Sequence, residues 1–155
     1  MMNLVFEGDP ADRIYRNCLG AIVAAFLMIG LSSCAALSLH QFTQPARDWQ
    51  ARSGQLLYRT PKITLIGEVL VRFSKNGDFE LTFSKGPGLT LLTLRQDATS
   101  AEIRGALARG GWAGEVAKAP PKLRGWLALR DRLVHAQDQQ MIRYVAGREI
   151  FVFRF

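Results

Sequence analysis

Apolar and polar side chains alternate with a period of two on either side of Asn76-Gly77, and this pattern confines the middle of the chain to an antiparallel hairpin. Ile63, Leu65, Val69, Val71 and Phe73 share one parity, and Lys62, Thr64, Glu68 and Arg72 share the other. Beyond the turn Phe79, Leu81 and Phe83 fall on one face, while Asp78, Glu80 and Thr82 fall on the other. A two-residue turn at Asn76-Gly77 would set Phe73 opposite Glu80 and every apolar residue against a polar one, which a half-buried sheet does not tolerate. A three-residue loop, Lys75-Asn76-Gly77 with Gly77 left-handed, instead pairs Phe73 with Phe79, Val71 with Leu81 and Val69 with Phe83. The bulged loop is therefore predicted.

Downstream, Ser84-Lys85-Gly86-Pro87-Gly88 has turn composition and leads into a strand over residues 89–95. That strand is apolar on both faces, with Leu89 and Leu91 on one and Leu92 and Leu94 on the other, so something apolar is expected on each side of it. Residues 101–104 form a fourth short strand, and residues 105–118, rich in glycine and alanine and holding Trp112, are expected to be irregular with one helical turn near 106–109. Pro120-Pro121 opens a helix that runs to about Val134. On it Leu123, Trp126, Leu127 and Leu133 make an apolar face, and Lys122, Arg124, Arg130 and Arg132 make a basic one. Two closing strands, residues 141–146 and 149–155, meet at Gly147-Arg148. The expected fold is mainly β with one or two helices: a curved antiparallel sheet, an incomplete β-barrel, covered by a helix and preceded by an N-terminal signal helix. A membrane barrel is not expected, because eight spanning strands of about ten residues each would leave no room for the helix.

The N-terminal third has a different pattern. Residues 19–31, LGAIVAAFLMIGL, carry no charge, follow Arg13 and Arg16, and run into Leu31-Ser32-Ser33-Cys34. A basic flank, an apolar middle and small residues at the cut make a secretory signal. The alternative is an uncleaved spanning helix over residues 18–39, since about 20 apolar residues cross a bilayer. Ser32, Ser33 and Ser38 dilute its second half and favour the short signal. Either arrangement puts residues 40–155 outside the cytoplasm on one membrane. The organisation expected is a signal over residues 1–33, a tether over 34–53 and a β domain over 54–155.

Without residues 1–33 the chain loses Arg13, Arg16, Glu7, Asp9 and Asp12, leaving 18 Lys+Arg against 10 Asp+Glu and a net charge of +8. Such a surface is drawn to anionic lipid headgroups or acidic partners. Nucleic acid is not an expected partner, because the chain has no recognition-helix or aromatic-platform motif. Cys18 falls inside the signal, so no disulfide is available within the mature domain and its core must hold it together. Catalytic chemistry is not expected either. His40 lies in the tether and His135 at the helix end, with neither cysteine nor spaced carboxylates to complete a metal site or a nucleophile and base pair. Gly105, Gly110, Gly111 and Gly114 lack the spacing of a phosphate loop. The residues point to a binding or structural module that uses no cofactor.

Leu31-Ser32-Ser33-Cys34 resembles the four-residue box of bacterial lipoprotein signals, which implies that Cys34 receives a diacylglyceryl group and becomes the new N-terminus. Ala35 after it is not the aspartate that retains some lipoproteins in the inner membrane, so the same resemblance implies the periplasmic face of the outer membrane.

The folded part resembles the LolA/LolB group of bacterial lipoprotein carriers and outer-membrane receptors over residues 55–155. The likeness rests on the strand at Phe79 to Phe83 with its glycine and proline loop and leucine-rich strand, on Gly111-Trp112, and above all on Pro120-Pro121-Lys122-Leu123-Arg124-Gly125-Trp126-Leu127. It implies an incomplete antiparallel barrel closed by helices, whose cavity takes acyl chains of lipoproteins or lipids, with a periplasmic carrier as a partner. The cavity residues implied are Ile63, Leu65, Val69, Val71, Phe73, Phe79, Leu81 and Phe83 from the hairpin, joined by Leu91, Trp112 and Trp126. It also implies that the loop Gly86-Pro87-Gly88 meets the membrane; this loop has no leucine at its tip, and Leu89 is the nearest one. A structural lipoprotein of closed core, docking an envelope partner through the basic helix, is the alternative. An open cavity of several hundred cubic ångströms would favour acyl binding, and a filled core would favour the alternative.

Overall fold

The computed structural model describes residues 40–155, so the expected signal and its Cys34 lie outside the described residues. Eight antiparallel strands form one unclosed sheet: β1 (Gln50–Arg59), β2 (Thr64–Phe73), β3 (Phe79–Ser84), β4 (Thr90–Gln96), β5 (Ser100–Arg104), β6 (Trp112–Glu115), β7 (Met141–Ala146) and β8 (Glu149–Arg154). Their spatial order is β6-β5-β4-β3-β2-β1-β8-β7, leaving β6 and β7 as edges. This is the incomplete barrel expected from the pattern.

The hairpin register is the predicted one: Phe73 lies opposite Phe79, Val71 opposite Leu81 and Val69 opposite Phe83. Gly77 is left-handed, with φ of 89°. The Ser74 amide donates to the Asp78 carbonyl and the Gly77 amide to the Ser74 carbonyl, which closes the bulged loop. Ser74 Oγ also accepts from the Asn76 and Asp78 amides, which satisfies both donors within the turn.

Several elements differ from expectation. Six strands were legible in the pattern, and the sheet has eight. β1 begins at Gln50, inside the segment read as tether, and pairs along its whole length with β2. Its first half, Gln50-Ala51-Arg52-Ser53-Gly54, shows no alternation because the side chain directed inward there is Arg52, whose guanidinium donates to the Ala136 and Gln139 carbonyls past the helix end. β6 falls in the stretch expected to be irregular; it is short, lies at an edge, and carries glycine opposite Ala101, so it shows no alternation. The expected helical turn near 106–109 appears as a 3-10 turn, Ala106–Ala108.

The helix after Pro120-Pro121 is broken into a 3-10 turn, Pro121–Leu123, then α1 (Arg124–Leu127) and α2 (Leu129–His135). The two-faced apolar β4 is also corrected. A bulge at Phe83/Ser84 lets the strand start at Thr90, so Leu89 is exposed in the loop and Leu91 is half-buried at the irregularity. Leu92 and Leu94 point inward, and Thr93 and Arg95 face out.

Candidate functional site

The inner side of the sheet is the candidate site. Alternation within each strand and pairing between strands bring Leu56, Tyr58, Val69, Val71, Leu81, Phe83, Leu92, Leu94, Phe151 and Phe153 to one surface, all buried. Onto this surface the helical segments lay Leu123, Trp126, Leu127, Leu129 and Leu133. Trp126, only 2% exposed, has its ring centroid 4.9 Å from Tyr58, 5.0 Å from Phe151 and 6.3 Å from Phe83. The Phe151 contact is edge-to-face, a favoured geometry for aromatic pairs.

The eleven residues expected to line a cavity divide accordingly. Val69, Val71, Phe73, Phe79, Leu81, Phe83 and Trp126 are brought together and buried in the core. Leu65, Leu91 and Trp112 are half-buried around it. Ile63 is 43% exposed and stands in the β1–β2 turn outside the core, because β2 begins only at Thr64. The helix fills the inner side with its own side chains, where an open trough would have left these faces uncovered.

Contacts between residues far apart in the sequence hold the helix in place. At its start, the Tyr58 hydroxyl donates to Glu149 Oε1 at 2.6 Å, closing the side of the core beside Gly125. Burial pushes the Tyr58 phenol above its ordinary value, and the hydrogen bond and negative charge of Glu149 push it further the same way. A Cβ at Gly125 would stand 2.3 Å from Glu149 Oε2 and 3.1 Å from the Ala146 Cβ, so a side chain there would displace the carboxylate that Tyr58 donates to. At the other end, Arg130 Nε donates to the Gly77 carbonyl at 2.8 Å, tying α2 to the β2–β3 loop. Arg52 reaches the Gln139 carbonyl at 2.6 Å and stacks over Phe155 at 3.9 Å. These ties join residues up to 91 positions apart, so no local signal in the sequence could have shown them.

The expected basic face is thus divided. Lys122 and Arg124 are exposed, Arg132 lies over the Tyr144 ring at 5.3 Å, and Arg130 is committed to the hairpin and to Asp131. The loop Gly86-Pro87-Gly88 is a tight turn, with both glycines left-handed and the Lys85 amide donating to the Leu89 carbonyl. Leu89 is 54% exposed beside it.

Residues 40–44, read as tether, lie against the outer side of β4 and β5. His40 contacts Asp97, Arg95 Nη2 donates to the Thr43 carbonyl at 3.5 Å, and the Arg95 guanidinium sits 5.7 Å from the Phe42 ring centroid. Burial works to raise the Asp97 carboxyl, but the Ser100 and Thr99 amides and His40 outweigh it and hold the group below its ordinary value. Among the described residues no three His, Cys, Asp or Glu side chains converge in a way that could hold a metal ion. No helix there is long and apolar enough to cross a membrane. No protein-family model matches the chain, and no curated protein matches it.

Proposed function

We propose that this chain is a bacterial lipoprotein, anchored to the periplasmic face of the outer membrane through diacylglyceryl on Cys34, whose folded unit docks an envelope partner with its core closed and performs no covalent chemistry. The observation that carries this reading is the filled inner side: Trp126 and four leucines of the helical segments occupy the place that a bound acyl chain would take. The anchor follows from the Leu31-Ser32-Ser33-Cys34 box. Lys122 and Arg124, exposed on the helix, supply the charge that an acidic partner such as a periplasmic carrier would meet. The test labels the full chain in a bacterium with radioactive palmitate and then titrates the purified protein with a fluorescent fatty-acyl probe. Label lost in Cys34→Ser together with no saturable probe binding supports the proposal; saturable binding by the wild-type chain overturns the closed core.

One observation favours a second reading, in which acyl chains enter between sheet and helix. The cover is two helical segments of four and seven residues without a side-chain cap, and the core it packs on is made of apolar and aromatic side chains, with Gln96 a buried polar exception on the inner side. Swinging the cover away from Gly77 would open an apolar trough. On this reading Arg130→Ala, which releases that tie, increases probe binding; on the closed-core reading it leaves binding at background.

A further inference from the structure

The outer side of the sheet has two unlike halves. Across β3, β4 and β5 it is polar and internally paired: Glu80 lies 3.3 Å from Arg72 and 3.6 Å from Arg95, and Arg104 pairs with Glu102. Across β2, β1, β8 and β7 it carries a row of apolar side chains set among cations. Cross-strand pairing sets Leu57 beside both Ile66 and Val152, and Ile150 beside Val145.

Of the five large hydrophobic side chains exposed among the described residues, four belong to this half or its hairpin tip, namely Ile63, Ile66, Met141 and Val145. A groove of about 220 Å³ runs between Leu57, Ile66 and Val152, and a wider, mostly polar one of about 500 Å³ lies at the adjoining hairpin tips, where Arg59, Lys62 and Arg148 stand beside Ile63 and Ile150. Single exposed hydrophobic residues are ordinary, but a continuous row is the mark of a contact surface.

The charge around the row identifies what it contacts. Arg59, Arg143 and Arg154 rise from the same face, and Lys62 and Arg148 stand at the two hairpin tips beside it. Among the described residues none of these five is held in an ion pair. Glu68 is the one acidic side chain on this half of the outer face. A second copy of the chain would bring these cations against one another, so self-association through this face is opposed. An anionic bilayer fits both features, because apolar side chains enter the headgroup layer while arginine and lysine stems lie along it with their charges at the phosphates. The described chain begins on the outer side as well, over its polar β4–β5 half, where His40, six positions after Cys34 in the sequence, rests against Asp97.

We infer that the β2–β1–β8–β7 half of the outer face lies on an anionic lipid surface, with Ile66 and Val145 in the headgroup layer and Arg59, Lys62, Arg143, Arg148 and Arg154 at the phosphates. The inference rests on the proposed Cys34 anchor only for the side from which the membrane is approached.

The test uses the full chain with photoreactive benzoylphenylalanine in place of Ile66, Val145 or Lys122, reconstituted in phosphatidylcholine vesicles with or without phosphatidylglycerol. The anchor holds the chain in every arm, so the readout is contact and not recruitment. Expected are lipid crosslinks from positions 66 and 145, several-fold above position 122, that require phosphatidylglycerol. They should fall about fivefold for each of Arg59→Gln and Arg148→Gln, the factor that corresponds to one cation near a charged membrane surface. Equal labelling at all three positions, indifference to phosphatidylglycerol, or capture of a protein by the position-66 probe in intact envelopes overturns the inference. A chain that sediments with neither kind of vesicle overturns the anchor and the docking together. One that sediments but labels evenly overturns the docking alone.

Discussion

Replacing Trp126 by alanine tests how the helix is held on the sheet. The indole is 2% exposed and meets Tyr58, Phe151 and Phe83. A tryptophan buries roughly 150–250 Å², which at about 25 cal/mol per Å² corresponds to about 4–6 kcal/mol. Measured truncations of buried aromatic residues cost about 3–5 kcal/mol, because the surroundings close only part of the void. Taking about 4 kcal/mol, and about 4 °C per kcal/mol for a domain of this size, Trp126→Ala should lower the midpoint of thermal unfolding by about 15 °C. The assay is urea and thermal unfolding of residues 40–155 followed by far-ultraviolet circular dichroism, with Trp126→Phe as the milder partner. The urea midpoint should fall while the slope stays constant. A loss below about 1 kcal/mol would refute the reasoning, since no side chain packed between three rings leaves so cheaply.

Other consequences follow from single contacts. Gly67→Ala sets a Cβ 2.1 Å from the Ser84 carbonyl oxygen, so it should cost about 1–3 kcal/mol in chemical denaturation; a neutral result would contradict the β2–β3 register at that end. Gln96 is buried with its Oε1 unpartnered, so Gln96→Met should raise stability by about 1 kcal/mol, and a lowered melting temperature would show that the carboxamide is satisfied. The Asp97 carboxyl is held below its ordinary value in the folded chain, so its contribution is complete above about pH 4 and fades as pH falls through the folded value. The stability gap between wild type and Asp97→Ala should therefore hold down to about pH 4 and shrink as pH falls below it, and a gap that stays constant would contradict the assignment.

What the sequence disclosed and what it withheld have physical reasons. The β2–β3 hairpin was legible to the residue, because Val69, Val71 and Phe73 alternate into a turn whose parity admits one loop length. The closing strands were legible through Phe151 and Phe153, both fully buried. β1 and β6 were not. The first half of β1 turns Arg52 inward to serve the helix end, and β6 spends an inward position on glycine, so neither shows the period. Ile63 was assigned to the inner face by parity alone, yet it stands in a turn, where alternation has no meaning. The largest gap concerns the site itself. An apolar sheet face reads the same whether it lines a cavity or fills a core. The outcome depends on Tyr58, Glu149, Arg52 and Arg130 meeting distant partners, which no short window of sequence records.

Fluorescence of Trp126 alone, in residues 40–155 carrying Trp49→Phe and Trp112→Phe, tests most directly whether the helix fills the inner side of the sheet. The packing around Tyr58 and Phe151 predicts blue-shifted emission that resists quenching by acrylamide and does not change when a fatty-acyl probe is added. Red-shifted, freely quenched emission, or emission that responds to the probe in a saturable way, would show an open trough and contradict the closed core.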